Sequence, residues 1–101
     1  MIIKAIFKTA YDLGIEAASS VKKTYDVTTK AGQQRFLEEA YENVEAFSQL
    51  GRYSHIGGEL MRMKDTDRAV RMYDDAVAAG IKRVLIDRQM HQRKAKKGRK
   101  S

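Results

Sequence analysis

The chain has 101 residues, 20 Lys+Arg against 13 Asp+Glu and 43% hydrophobic residues, which suits one globular domain better than a wholly disordered chain. It has no cysteine, so disulfides and thiolate metal sites are excluded, and its apolar runs are far shorter than the about 20 residues of a membrane span. The net charge of +7 is unevenly placed: residues 1–81 carry 11 basic and 12 acidic side chains, and residues 82–101 carry 9 basic side chains and one acid, Asp87.

Helical spacing recurs along the chain, and no segment alternates apolar and polar residues for long. Ile3, Phe7, Ala10, Leu13 (or Gly14), Ala17 and Val21 recur at three- and four-residue steps and predict a first helix over about residues 2–24. Its beginning is acid-free up to Asp12, as organelle transit sequences are, but it lacks the apolar run and cleavage site of a secretory signal. It reads as the first turns of that helix. The β-branched Val27-Thr28-Thr29 breaks the pattern, and either threonine suits the N-cap of the next helix.

The second helix, over about 30–50, places Phe36, Leu37, Ala40, Tyr41, Val44, Phe47 and Leu50 on one face. Glu38, Glu39, Glu42 and Glu45 fall mostly elsewhere, and Gly51 stands where a left-handed C-terminal cap belongs. Two shorter helices are expected over about 53–63 and 66–79, the latter capped by Asp65 or Thr66 and ended by Gly80. A fifth is expected from Ile81 to about Lys94, with Val84, Leu85 and Met90 facing inward. From Gln92 onward no apolar side chain exceeds alanine, so the segment is expected to fray. The predicted architecture is all-α: about five helices in packed hairpins over 1–91, followed by a flexible basic tail over 92–101.

Residues 50–83 read as one helical hairpin, with Tyr53, Ile56, Gly57 and Leu60 on its first helix and Ala69, Tyr73 and Ala76 on its second, closing with Ala79-Gly80-Ile81-Lys82. This stretch, about a third of the chain, resembles the repeat unit of the tetratricopeptide and pentatricopeptide families. The resemblance implies close helix approach at Gly57 and Ala69, Tyr73 filling the space between the helices, and an apolar face for a neighbour to cover. It also implies base-contacting positions at Ser54 and Val84. Two departures matter: Arg83 stands where the family commonly has proline, and Val84 cannot hydrogen-bond a base edge. A single unit is in any case too short for sequence readout, because such families read one base per repeat.

No constellation for catalysis emerges. His55 has Glu59 four residues on, a spacing more often of a surface hydrogen bond than of a metal site, and His91 is far away in sequence. Glu38, Glu42 and Glu45 lack the Glu-x-x-His partners of carboxylate-bridged metal bundles and read as a solvated face or a docking surface for basic groups. Gly57-Gly58 is not a phosphate loop and reads as a close-packing point or kink. Ser19-Ser20 has no base at a recognisable spacing. Met61, Met63, Met72 and Met90 read as gap-filling core or interface residues. No enzyme, metal or cofactor is expected.

The basic end carries the functional expectation. Arg93, Lys94, Lys96, Lys97, Arg99 and Lys100 place six charges within eight residues, with Arg88, Lys82 and Arg83 upstream. Such charges repel one another, and a polyanion is their natural partner. No aromatic is interleaved to stack on bases, so Arg88 and the six cations are expected to grip phosphates without reading sequence. An interfacial membrane helix would need a bulky apolar face that this segment lacks.

The leading expectation is a non-enzymatic helical component of an intracellular nucleoprotein assembly, of the ribosomal-accessory or virus-particle type. Its body would dock a protein neighbour, or a second copy, through Tyr53, Ile56, Leu60 and Met63. The alternative is a protein–protein adaptor or inhibitor whose tail only solubilises.

Overall fold

The computed structural model describes the backbone of residues 2–99 and the side-chain surroundings of residues 5–95. It contains four helices: α1 (Ile2–Ser19), α2 (Lys30–Phe47), α3 (Ile56–Met61) and α4 (Thr66–Arg99). No strand occurs among the described residues. The all-α expectation holds, but the expected fourth and fifth helices are one helix of 34 residues. At about 1.5 Å per residue α4 is about 50 Å long, and it sets the long axis of a molecule measuring 57 × 22 × 20 Å.

α1 lies chiefly along α4 and secondarily against α2, while α3 packs on α4. The α1 stripe buries Ile6, Ala10, Leu13, Ala17 and Ala18, with Val21 just beyond the helix. Phe7 is half-buried against this core, and the side chain of Ile3 lies outside the described residues. α2 contributes Phe36 and Ala40 fully and Leu37, Val44 and Phe47 partly, whereas Tyr41 and Leu50 are exposed. Ala69, Val77 and Ile81 complete the core from α4.

Small residues let α1 and α4 meet backbone to backbone. A Cβ on Gly14 would lie 2.2 Å from the Val77 carbonyl oxygen, and one on Gly80 would lie 2.3 Å from the Tyr11 carbonyl oxygen and 2.9 Å from the Ile15 nitrogen. Gly80 therefore does not end a helix. It keeps a negative φ, as every described glycine does, and it is buried in mid-helix where α1 crosses. Gly57, expected at a close approach, is exposed, and a Cβ there would meet nothing within 4 Å.

Local capping follows the sequence. The Thr29 Oγ1 accepts from the Gly32 N–H at 3.1 Å at the start of α2, and the Asp65 Oδ1 accepts from the Arg68 N–H at 3.1 Å at the start of α4. The expected C-termini are shorter. α2 ends at Phe47 with Ser48 as its cap, and the chain continues through tight turns (Leu50 N–H to the Phe47 oxygen, Tyr53 N–H to the Leu50 oxygen). These turns satisfy the last carbonyls without a left-handed Gly51. α3 is only six residues long and includes Gly57-Gly58, each costing about 1 kcal/mol of helix propensity relative to alanine.

Tyr53 ties this turn region to α1. Its ring is buried, its hydroxyl donates to the Glu16 carboxylate, and the Arg52 guanidinium approaches the same oxygen at 3.4 Å. The Arg52–Glu16 pair is well exposed and contributes little by itself. Burial first, and the Glu16 hydrogen bond second, push the Tyr53 phenol above its ordinary value of 10.0.

Two predictions follow from this packing. Gly80→Ala gains helix propensity of about 1 kcal/mol but should lose about 1–3 kcal/mol net, because backbone cannot rotate away from an added methyl. Gly57→Ala, with open space around it, should stabilise by up to about 1 kcal/mol, and urea denaturation followed by circular dichroism compares the two. Tyr53→Phe removes the hydroxyl and should cost about 1 kcal/mol near neutrality. Because the folded-state phenol titrates above the unfolded one, the wild-type advantage is present below pH 10.0 and shrinks as pH rises beyond it. Denaturation of both proteins from pH 8 to 11 reads that convergence.

Candidate functional site

The α1–α2 connection leaves helical geometry at Ser20 and does not resume it until Lys30. Irregular backbone needs hydrogen-bond partners, and here α4 supplies them across the fold. The Gln92 side-chain oxygen accepts from the Val27 N–H at 3.0 Å, and its amide group donates to the Tyr25 carbonyl at 2.8 Å. Gln89 donates to the Val27 carbonyl at 3.0 Å. Two glutamines one turn apart thus hold both backbone groups of Val27, whose side chain is buried.

The C-terminal carbonyls of α1 are covered in the same way. Asn43 of α2 donates to the Ala17 oxygen at 2.9 Å, and the Arg88 guanidinium donates to the Val21 oxygen at 3.2 Å and the Ser19 oxygen at 3.4 Å. A cation at a helix C-terminus also meets the negative end of the helix dipole. The same guanidinium lies 5.0 Å from the centroid of the Phe36 ring. Arg88 is therefore turned into the fold. Through its Nη2, which donates to both backbone oxygens, Arg88 has a positioning role in the fold beside the phosphate contact expected of it from the sequence.

Glu39 anchors the other side of the loop, accepting from the Lys22 N–H at 3.1 Å and from the Tyr25 hydroxyl at 3.0 Å. Partial burial first, and the Glu39 bond second, hold the Tyr25 phenol above its ordinary range. Glu39 thus belongs to the structure, while Glu38, Glu42 and Glu45 are exposed.

Between this loop and α4 runs a groove of about 390 Å³, with Lys22, Lys23 and Tyr25 on one wall and Asp87, Arg88 and His91 on the other. Asp87 is paired with Arg83 at 3.7 Å on its own helix. Beyond the groove, α4 continues through Arg93 and Lys94, both exposed, and remains helical to Arg99. The expected boundary at Gln92 falls inside a helix, at a residue bonded to the body. The side chains of Lys96, Lys97, Arg99 and Lys100 lie outside the described residues.

The residues expected to face a protein neighbour are mostly taken up by the chain itself. Tyr53, Ile56 and Leu60 are 4%, 2% and 5% exposed, and Met63 is half-buried against the same core. Met90, expected inward, is exposed together with Met61, Met72 and Ile86. Met72, Ile86 and Met90 recur at helical steps along one side of α4. A second, shallow cleft of about 570 Å³ is lined by Asp12, Glu16, Arg52, Tyr53 and His55, with Glu16 engaged by Tyr53 and Arg52. No group of three or more metal-ligating side chains occurs among the described residues. No described helix is long and apolar enough to cross a membrane.

Gln92→Ala should cost about 1–3 kcal/mol by leaving the Val27 N–H and Tyr25 carbonyl short of partners. Hydrogen exchange should show the Val27 amide losing protection while amides at the Gly14–Gly80 crossing keep theirs. Unchanged Val27 protection would remove Gln92 from this role. Comparison of the chain with protein-family models, with curated proteins and with solved structures gives no match.

Proposed function

We propose that the protein is a non-enzymatic component of a nucleoprotein assembly, whose long helix carries a basic arm onto the phosphate backbone of nucleic acid. The observation that supports this reading is the continuity of α4. One helix runs from the core, through the residues that hold the α1–α2 loop, into the basic segment. The arm therefore leaves the body in a set direction. Six cations, Arg93, Lys94, Lys96, Lys97, Arg99 and Lys100, follow within eight residues and have no acid among them. In water such a helix end repels itself, and neutralising phosphates relieve that repulsion while releasing condensed counterions. With no aromatic in the arm, binding is to backbone and tolerant of sequence.

A protein partner, or a second copy, is a separate contact of the body. Tyr53, Ile56 and Leu60 are occupied internally, so exposed apolar side chains elsewhere serve it, among them Met72, Ile86 and Met90 along one side of α4. That strip also favours the second reading, an adaptor that binds a partner by its helices while the arm only solubilises. The arm separates the two.

Truncation after Gln92 keeps the loop's hydrogen bonds and removes all six cations. Fluorescence anisotropy with labelled oligonucleotides of random sequence should show log K falling with log salt at a slope of about −5 for six phosphate contacts. The truncated chain should lose most of that slope while melting like the full chain. Absence of salt-sensitive oligonucleotide binding by the full chain would sink the nucleoprotein reading and leave the adaptor, and binding that survives truncation unchanged in both low and moderate salt would remove the arm from it.

A further inference from the structure

We infer that the groove between the α1–α2 loop and α4 seats the phosphate backbone of the same nucleic acid, with Lys22 and Lys23 as its direct phosphate contacts. The inference rests on the proposed nucleic-acid reading and extends it from the arm into the folded body. Lys22 and Lys23 are adjacent, exposed and on the groove wall. Among the described residues neither ammonium group has a hydrogen-bond or ion-pair partner. Glu39 bonds the backbone of Lys22, which fixes where the side chain starts and leaves its charge available.

The opposite wall favours an anion as well. Arg88 keeps its bonds to the Ser19 and Val21 carbonyls, yet its charge stands at the groove. A half-buried cation is screened less than one in open water, so it adds potential without touching the ligand. Asp87, the one acid among the described residues of the walls, is paired with Arg83. His91 offers an exposed imidazole, and Lys94 follows it by one helical turn on the same side.

The wall itself is fixed. Gln89 and Gln92 hold the Tyr25–Val27 backbone against α4, so the two lysines project from anchored chain. This lowers the entropic cost of ordering them on a ligand. A polyanion rather than an isolated anion fits because the groove opens onto the arm. From His91 to Arg99 the helix advances about 12 Å, the axial rise of about three or four nucleotides along one strand. Phosphates at regular spacing can meet Lys22 and Lys23 at one end and the arm at the other.

The test uses the full chain, with anisotropy of random-sequence RNA and duplex DNA oligonucleotides across a range of KCl. Lys22→Ala/Lys23→Ala should weaken binding at least about ten-fold at low salt and reduce the salt slope by about two units. Lys22→Arg/Lys23→Arg should restore the slope, and thermal melting should be unchanged in both variants. If the alanine pair binds with the wild-type slope while arm truncation still weakens binding, the groove assignment is overturned and the arm reading stands. If the wild type binds neither oligonucleotide, both are overturned. Equal binding of poly-glutamate, lost in the same variants, would overturn the assignment to nucleic acid.

Discussion

The contact between Gly14 and Gly80 sets the distance between the two principal helices, and most of the remaining structure follows from that distance. With no side chain on either glycine, α1 approaches until the carbonyls of Tyr11 and Val77 lie where methyl groups would stand. Leu13, Ala17, Val77 and Ile81 can then interlock around the crossing and remain buried. A wider separation would open voids beside each of them, since interiors this dense lose contacts outright when a gap appears. The closeness also lets polar side chains of α4 reach the loop at the end of α1.

That reach converts an irregular loop into a defined surface. Residues 20–29 present backbone groups outside any helix, and Arg88, Gln89 and Gln92 satisfy those of Val21, Tyr25 and Val27. Arg88 serves several demands at once: it caps carbonyls at the end of α1, lies over Phe36, and leaves its charge beside Lys22 and Lys23. The loop is thereby part of the same rigid framework as the basic arm, although the two are distant in sequence. The glutamines that hold this loop stand on the same helix, α4, that continues into the basic segment.

Local chemistry was the most readable part of the chain. A short oxygen-bearing side chain before an apolar period marks an N-cap, which narrowed the choice to Thr28 or Thr29 and to Asp65 or Thr66, and the structure uses Thr29 and Asp65. The apolar stripes of α1 and α2 were visible for the same reason, since each repeats at the helical period over several turns. Glycine was ambiguous. Gly80 after an alanine-rich run has the local appearance of a C-terminal cap, yet its function is to admit a neighbouring helix, and nothing within a few residues distinguishes the two. Tyr53, Ile56 and Leu60 show a similar limit: an apolar face says that something covers it, but not whether that is the same chain. Gln89 and Gln92 carried no signal at all, because their partners are more than sixty residues away.

The sequence by itself determined the helical class, the placement of charge and the absence of aromatic residues from the basic end, because each depends on residue type and near neighbours. Only the tertiary structure decided that the last two expected helices are one, that Arg88 turns inward, and that Lys22 and Lys23 share a groove with His91. Those outcomes depend on which helix fits against which. That choice was made by the two side chains that Gly14 and Gly80 lack, and its consequences reach residues far from both.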